Sequence, residues 1–193
     1  MNSSPAGRLI IISGPSGAGK STVLSQLLQN CPLPLQMSVS ATTRAPRPGE
    51  IDGQDYFFLS HERFAELREA GEFLECKEVF GLGYWYGTLR DPVATGVNAG
   101  KWVILEIDVE GALDVMESDL NPITLFLHPG GMDELERRLR DRNTETDAQI
   151  AARLATAETE FQSISRYQYP IINDHVDRAV DEICSILLQY RDC

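Results

Sequence analysis

The stretch Gly14-Pro15-Ser16-Gly17-Ala18-Gly19-Lys20-Ser21 decides how the rest of this sequence is interpreted. Its pattern, G-x-x-x-x-G-K-S, is that of a phosphate-binding loop. An apolar β-branched run at residues 9–12 precedes the loop and predicts a buried parallel strand. Apolar residues at helical spacing predict a helix over residues 22–29. A strand, a glycine-rich loop and a helix start, in that order, are the context that the motif requires.

The residue types of this loop suit phosphate chemistry. Glycines admit positive φ and let backbone N–H groups approach an anion, and a helix N-terminus adds donors and a positive dipole end. The pattern predicts that Lys20 reaches the β- and γ-phosphates and that the Ser21 hydroxyl holds Mg²⁺. Asp108 ends an apolar run over residues 102–108, so we predict that it binds the same metal, directly or through water. Glu106, on the same face of that strand, is the weaker candidate.

Composition narrows the class of protein. The 193 residues include 17 basic and 29 acidic side chains, a formal net charge of −12. Such a chain is a poor candidate for binding nucleic acid, and its few cations become informative. Without a long apolar run or a signal-peptide core, we expect no membrane partner and a cytoplasmic location. Four cysteines without C-x-x-C spacing favour reduced thiols over zinc. A monomer and a small homo-oligomer both stay open.

Strands that alternate with helices predict an α/β fold, with a parallel sheet flanked by helices on both faces. Residues 40–90 break this alternation and predict an inserted subdomain. Short strands are predicted just before it, at 37–40, and within it, at 56–59, 73–75 and 77–80. Asp91 is expected to cap a helix that Pro92 begins. Residues 134–156 are rich in charge and predict a helical flap, with a capping box at Thr146 and Gln149.

Two groups of arginines stand out in this acidic chain. Arg44 and Arg47 lie in a predicted loop, where guanidinium groups could bind phosphate bidentately or be merely solvated. Arg138 and Arg142 are one helical turn apart, and Arg153 belongs to the next helix. On charge alone, the second group is a solvated face. The three histidines stand singly and have no metal-binding spacing.

Taken together, these features resemble the guanylate kinase family over nearly the whole chain, from Leu9 to about Leu188. The run Ser38-Val39-Ser40-Ala41-Thr42-Thr43-Arg44-Ala45-Pro46-Arg47-Pro48-Gly49-Glu50 is the most specific match. The other matching segments are residues 12–22, 53–58, 73–75, 86–88, 105–111, 138–142 and 172–174.

The resemblance implies Mg²⁺-dependent phosphoryl transfer from ATP to GMP. It implies a P-loop NTPase-type parallel sheet flanked by helices, with an inserted GMP-binding α/β subdomain and a small helical lid. We expect the core at about 7–37, 91–133 and 157–193, the GMP-binding subdomain at 38–90 and the lid at 134–156. Closure of the lid would exclude water that could hydrolyse ATP.

The resemblance also implies roles for individual residues. On the GMP side, the phosphate would be held by Arg44, Arg47, Tyr56 and Tyr86, and guanine would be recognised by Ser40, Glu75 and Thr88; the GMP-binding set also includes Asp108. The ATP side would comprise Gly14, Pro15, Ser16, Gly17, Ala18, Gly19, Lys20, Ser21, Thr22 and Asn173. The catalytic cations would be Lys20, Arg44, Arg138, Arg142 and Arg153, and the metal ligands Ser21 and Asp108.

The guanine assignment has a chemical basis. Guanine presents N1–H and N2–H donors side by side, which the Glu75 carboxylate could accept, while the Ser40 hydroxyl could donate to O6. Adenine would leave these groups unpaired, and a polar site of this kind discriminates strongly. A kinase for another nucleoside monophosphate is therefore the weaker alternative. A catalytically inactive module that binds phosphopeptides is the other, and the complete loop argues against it.

The sequence departs from the family pattern in three places. The turn over residues 81–86 is longer than usual, so either Tyr84 or Tyr86 could contact the GMP phosphate. Asn143 stands where glycine is common. Glu106 stands where many members have aspartate, which keeps the charge.

Overall fold

The computed structural model describes residues 7–79, 83–141 and 145–191. Within these ranges the chain forms nine strands and seven α-helices, with one 3₁₀ turn at Ile164–Arg166. The strands are β1 (Arg8–Ser13), β2 (Leu35–Met37), β3 (Ala41–Thr42), β4 (Phe57–Phe58), β5 (Phe73–Val79), β6 (Tyr84–Leu89), β7 (Trp102–Glu106), β8 (Ile123–His128) and β9 (Tyr169–Ile172). The helices are α1 (Lys20–Asn30), α2 (His61–Glu69), α3 (Arg90–Asn98), α4 (Val109–Met116), α5 (Met132–Asp141), α6 (Asp147–Phe161) and α7 (Val176–Gln189).

Five strands form the larger sheet, in the order β2-β7-β1-β8-β9. Strand β8 runs parallel to β1 and to β9, with Ile10 opposite Ile123 and Leu125 opposite Tyr169. The apolar residues of β1 are buried, as expected for a strand covered on both faces. The predicted α/β fold with a parallel sheet flanked by helices is confirmed. None of the helices that the structure describes is long and apolar enough to cross a membrane.

Four short strands form a second sheet, in the order β4-β3-β6-β5. Strand β6 runs antiparallel to β3 and to β5, and β3 runs parallel to β4. Helix α2 covers this sheet through Phe64, which is 2% exposed and stacks on Phe73 with ring centroids 4.4 Å apart. All four strands lie within residues 40–90, the segment in which strands and helices do not alternate regularly along the sequence.

The chain divides into two compact units. Unit 1 consists of the described residues among 7–9, 36–105 and 110–122. Unit 2 consists of residues 10–35, 106–109 and those from 123 onward, so β1 contributes to both. The three-part division into core, GMP-binding subdomain and lid stays a prediction.

Several element boundaries differ from those predicted. The strand predicted over residues 102–108 ends at Glu106, and α4, which was not predicted, begins at Val109. Val109, Ala112 and Val115 are buried at helical spacing, the signal that indicates α4. Two predictions of secondary structure were also wrong: Leu89, not Asp91, is the N-cap of α3, and residues 38–40 lie between β2 and β3. The two short strands predicted near residue 75 are one strand, β5.

Candidate functional site

The loop between β1 and α1 requires glycine at several positions. Gly14, Gly17 and Gly19 have φ values of 139°, 96° and 87°, which only glycine adopts readily. A Cβ at Gly14 would lie 2.0 Å from the Leu127 carbonyl oxygen, so the loop passes directly against β8. Gly19 is the N-cap of α1. The loop therefore ends at a helix N-terminus, which provides backbone N–H donors and a positive dipole end for an anion.

Lys20 lies folded against this loop. Its Nζ donates hydrogen bonds to the carbonyl oxygens of Gly14, at 2.6 Å, and Pro15, at 3.1 Å. Burial lowers the pKa of Lys20, while the carboxylates of Glu106, Glu160 and Asp108 act in the opposite direction. The ammonium group is thus held at the loop, where a phosphate could contact it.

Side-chain oxygens that could bind a cation lie at the start of α1 and at the end of β7. Ser21 Oγ donates to Glu106 Oε1 at 3.5 Å, and Asp108 follows Glu106 by two positions. Among the described residues, no three histidine, cysteine, aspartate or glutamate side chains are grouped so that they could hold a metal ion. Mg²⁺ is commonly held by one or two protein oxygens together with substrate phosphates, so the residues present fit this ion. Glu106, which the sequence favoured less than Asp108, belongs in the candidate metal site as well.

Two of the predicted catalytic arginines contact unit 2 residues at or near the loop. Arg153, on α6, donates to Ser16 Oγ at 3.2 Å and pairs with Glu145 at 2.6 Å. Arg138, on α5, donates to the backbone carbonyl of Asn173 at 2.7 Å. Arg142 lies outside the described residues, so its predicted role stays a prediction.

Asn173 braces the loop from the end of β9. Its side chain is buried, and its Nδ2 donates to the Ala18 carbonyl at 2.8 Å. A Cβ at Gly19 would lie 2.5 Å from that nitrogen, so the glycine makes room for the amide. The predicted position of Asn173 beside adenine stays a prediction. A cavity of about 360 Å³ adjoins these residues and is lined by Gly17, Gly19, Thr22, Arg137, Arg138, Asp141, Asn173, Asp174 and Val176.

Unit 1 holds a separate cluster around Arg44, a half-buried side chain. The two terminal nitrogens of Arg44 donate to Glu50 at 2.8 and 3.0 Å, and its Nε donates to Tyr86 Oη at 3.3 Å. The guanidinium carbon lies 5.4 Å from the centroid of the Tyr56 ring. The hydrogen bonds to Glu50 raise the pKa of Arg44 and lower that of Glu50, and burial raises the pKa of Tyr56. The structure therefore brings together three of the predicted phosphate-binding residues.

Glu50 is a member of this cluster that the sequence analysis did not assign. Besides pairing with Arg44, its carboxylate accepts a 2.6 Å hydrogen bond from the Arg47 backbone N–H. The Arg47 side chain itself is exposed. Glu50 is the last residue of the run 38–50, the most specific match to the family, and lies three positions after Arg47. This position in the sequence could have indicated that Glu50 belongs to the site. Its contacts orient Arg44 and shape the loop that carries both arginines.

A second pair in unit 1 joins two predicted guanine-binding residues. Glu75 on β5 lies opposite Thr88 on β6, and the Thr88 hydroxyl donates to Glu75 Oε1 at 2.7 Å. Ser40 precedes β3, where the next residue, Ala41, pairs with Gly87 beside Thr88. The Ser40 carbonyl accepts from the Phe57 N–H at 2.9 Å. Asp108, which was also predicted to bind GMP, belongs to unit 2 and not to unit 1.

Tyr84 and Tyr86, the two candidates for contact with the GMP phosphate, have different neighbours in the structure. Tyr86 Oη contacts Arg44, and its ring meets the Tyr56 ring edge-on at 5.9 Å. Tyr84, at the start of β6, pairs with Val79. Gly81 and Leu82, at the start of the turn predicted over residues 81–86, lie outside the described residues. Tyr86 is thus the tyrosine of this turn that contacts Arg44 within the described chain.

Several proteins named guanylate kinase are similar to this chain in sequence or in structure. The protein-family model for guanylate kinase matches residues 6–190. Guanylate kinase of Rhodopirellula baltica is 66% identical over 186 residues, covering 96% of this chain and 89% of that protein. Guanylate kinase of Bifidobacterium longum is 46% identical over 186 residues, with 94% of each protein covered. The crystal structure of guanylate kinase from Anaplasma phagocytophilum matches with a TM-score of 0.74 and 34% identity, over 97% of this chain and 87% of that one. This chain belongs to the guanylate kinase family.

Proposed function

We propose that this chain transfers the terminal phosphoryl group of ATP to GMP, giving ADP and GDP, in purine nucleotide metabolism. The observation that carries the proposal is the arrangement along β6. Tyr86 and Thr88 are two positions apart, so their side chains share one face at a spacing of about 6.6 Å. Tyr86 belongs to the Arg44 cluster, which suits a phosphate, and Thr88 is paired with Glu75, which suits a base. The two clusters match the two ends of one mononucleotide.

The pairing of Glu75 supports guanine as the base. A carboxylate accepts hydrogen bonds and cannot donate them, so it favours the adjacent N1–H and N2–H donors of guanine. Adenine has an unprotonated N1 and would leave the carboxylate unpaired. A site that leaves buried polar groups unpaired with the wrong substrate can discriminate by several orders of magnitude.

The loop in unit 2 supports ATP as the donor. Backbone N–H groups and Lys20 would cradle its phosphates, and Arg138 and Arg153 would neutralise charge on the phosphoryl group. Ser21, with Glu106 and Asp108, would hold Mg²⁺, which neutralises phosphate charge when bound. The roles of Arg44 and Arg142 at the transferred group belong to the same proposal. A direct transfer of this kind uses no protein nucleophile, so steady-state kinetics should be sequential rather than ping-pong.

A substrate panel tests this proposal. ADP release from Mg²⁺·ATP, followed by a coupled assay, should be rapid with GMP and at least about 100-fold slower with AMP, CMP or UMP. Equal rates with all four acceptors would contradict the guanine assignment. Absence of turnover together with binding of a phosphopeptide would support the inactive module instead.

A lysine variant tests the role of the loop. Lys20→Met should lower kcat at least about 100-fold, because it removes the cation that is held at the loop and would contact the phosphates. Lys101→Met is the matched control, since Lys101 is exposed at the turn before β7. Circular dichroism should show that both variants keep the helical content of the parent.

The proposal also includes a cytoplasmic location and a monomeric or small homo-oligomeric state.

A further inference from the structure

The first turn of α4 carries a buried glycine next to Glu75. A Cβ at Gly111 would lie 3.0 Å from Glu75 Oε2 and 3.3 Å from both Cγ and Cδ. These separations are shorter than ordinary van der Waals contacts between carbon and its neighbours. Any side chain at position 111 therefore presses on the Glu75 carboxylate.

Other contacts limit how far Glu75 can move away. Its Oε1 accepts the 2.7 Å hydrogen bond from Thr88. Lys77, two residues further along the same face of β5, forms a 2.7 Å ion pair with Glu110 of α4. The strand face that carries Glu75 and the helix turn that carries Gly111 are thus joined at an adjacent point. A larger residue at position 111 would have to shift the carboxylate relative to Thr88.

Backbone conformation does not account for this glycine. Gly111 lies in a helix, and it is not among the glycines with positive φ. Glycine is less favourable than alanine at most helical positions, because it loses more backbone entropy. The space beside Glu75 explains why the smallest residue occupies the site.

We infer that Gly111 is a positioning residue for guanine recognition. By leaving room for Glu75, it lets the carboxylate stay hydrogen-bonded to Thr88 in the orientation that would accept the donors of guanine. The inference rests on the proposed function, because Glu75 is there the base-reading group. It assigns a determinant of base specificity to α4, on a residue that would not itself touch the nucleotide.

Gly111→Ala tests the inference. The dissociation constant and KM for GMP should rise about tenfold, the equivalent of one displaced hydrogen bond. The dissociation constant for ATP should not change, and kcat should stay within about twofold. Gly131→Ala is the control, since a Cβ there meets nothing within 4 Å. An affinity for GMP equal to that of the parent would overturn the inference while leaving the proposed function intact.

A double-mutant cycle shows whether Gly111 acts through Glu75. Once Glu75→Ala has removed the carboxylate, adding Gly111→Ala should leave GMP affinity unchanged, because nothing remains to be displaced. In that background the alanine should also raise the melting temperature by about 2 °C, the gain expected from its helix propensity. A further tenfold loss of GMP affinity in the double variant would mean that Gly111 acts independently of Glu75.

If Gly111→Ala folds poorly, the melting temperatures of the single and double variants still test the inference. Recovery of the melting temperature in the double variant would then support the inference, because the strain would come from Glu75. Poor folding in both backgrounds would overturn it. If the parent protein neither binds nor phosphorylates GMP, the proposed function falls and the inference falls with it.

Discussion

The Arg44 guanidinium donates four hydrogen bonds that fix its plane: two to Glu50, one to the Ala45 carbonyl and one to Tyr86. Because a guanidinium is planar and its donors form a rigid fork, such contacts set the direction in which the group can bind a phosphate. Tyr56 completes the cluster from one side of the fork. At the scale of single residues, the orientation of Arg44 therefore depends on Glu50, a side chain that need not touch the substrate.

The two tyrosines at the start of β6 allow a matched test of this cluster. Tyr86→Phe should raise the KM for GMP about tenfold, because it removes the hydroxyl that accepts from Arg44 and would face the phosphate. Tyr84→Phe should leave the KM near that of the parent. Initial-rate kinetics at saturating ATP measure both values. A larger effect from Tyr84 than from Tyr86 would reverse the assignment.

His128 gives the protein a defined response to acid. Its Nδ1 accepts a 3.2 Å hydrogen bond from the Gly130 N–H, and its ring packs edge-on against Phe161. Burial lowers the pKa of His128 below its usual value of about 6.5. As the pH falls, the imidazole of His128 is therefore protonated in the unfolded chain before it is protonated in the folded protein. The neutral imidazole thus contributes fully to the free energy of unfolding above about pH 6.5, and this contribution is lost as the pH falls through the folded-state pKa.

We expect His128→Asn to flatten this response, because an asparagine oxygen can accept the same bond without titrating. Urea unfolding at a series of pH values should show the parent losing more free energy of unfolding than the variant as the pH falls below about 6.5. Parallel pH profiles would show that another group is responsible.

At the scale of elements, α5 and α6 combine local signals with packing. Thr146 Oγ1 accepts from the Gln149 N–H at 3.3 Å, and Gln149 Oε1 accepts from the Thr146 N–H at 2.9 Å, so the predicted capping box is confirmed. Leu135 and Leu139 of α5 form a buried cluster with Ile150 and Ala157 of α6. This pair of helices carries Arg138 and Arg153, and its stability determines how well both are held.

Loss of the cap should destabilise α6. Thr146→Ala removes a side-chain acceptor from the first turn and should cost about 1 kcal/mol. Thr156→Ala is the control: it is exposed in mid-helix, and its hydroxyl donates back to the Ala152 carbonyl, so its effect should be near zero or stabilising. Denaturant unfolding, supported by amide exchange within α6, measures both changes. Equal effects would mean that the cap contributes nothing specific.

At the scale of the whole molecule, the candidate sites assemble residues that are far apart in sequence. Arg44 meets Tyr86 across 42 positions, Arg153 meets Ser16 across 137, and Asn173 meets Ala18 across 155. The first contact lies within unit 1 and the other two within unit 2. The residues proposed for GMP, apart from Asp108, belong to unit 1, and those proposed for ATP belong to unit 2.

Ligands should therefore protect different parts of the chain from hydrogen exchange. GMP alone should slow exchange in β3, β5 and β6, and Mg²⁺·ATP alone should slow it in the Gly14–Ser21 loop and the start of α1. The reason is that a ligand stabilises the segments it contacts against local opening. Exchange measured by mass spectrometry, with and without each nucleotide, tests this. Protection of the loop by GMP alone would show that the assignment of the two sites is wrong.

Local patterns in the sequence determined much of this protein by themselves. The glycine-rich loop between β1 and α1, the capping box of α6 and the α/β alternation depend on residues close together along the chain, and these conformations were predicted correctly. The phosphate-binding role of the loop stays a prediction. The resemblance to the family supplied the roles proposed for Arg44, Glu75 and Tyr86, which charge and spacing alone left open.

Tertiary structure decided the contacts that orient those residues. The pairing of Glu50 with Arg44, of Glu106 with Ser21 and of Asn173 with Ala18 arises when distant segments pack together, and no periodicity records it. The same holds for Gly111, where the sequence shows a small residue and only the fold shows the Glu75 carboxylate beside it. A local pattern specifies backbone conformation, whereas the room available to a side chain depends on what the rest of the chain brings next to it.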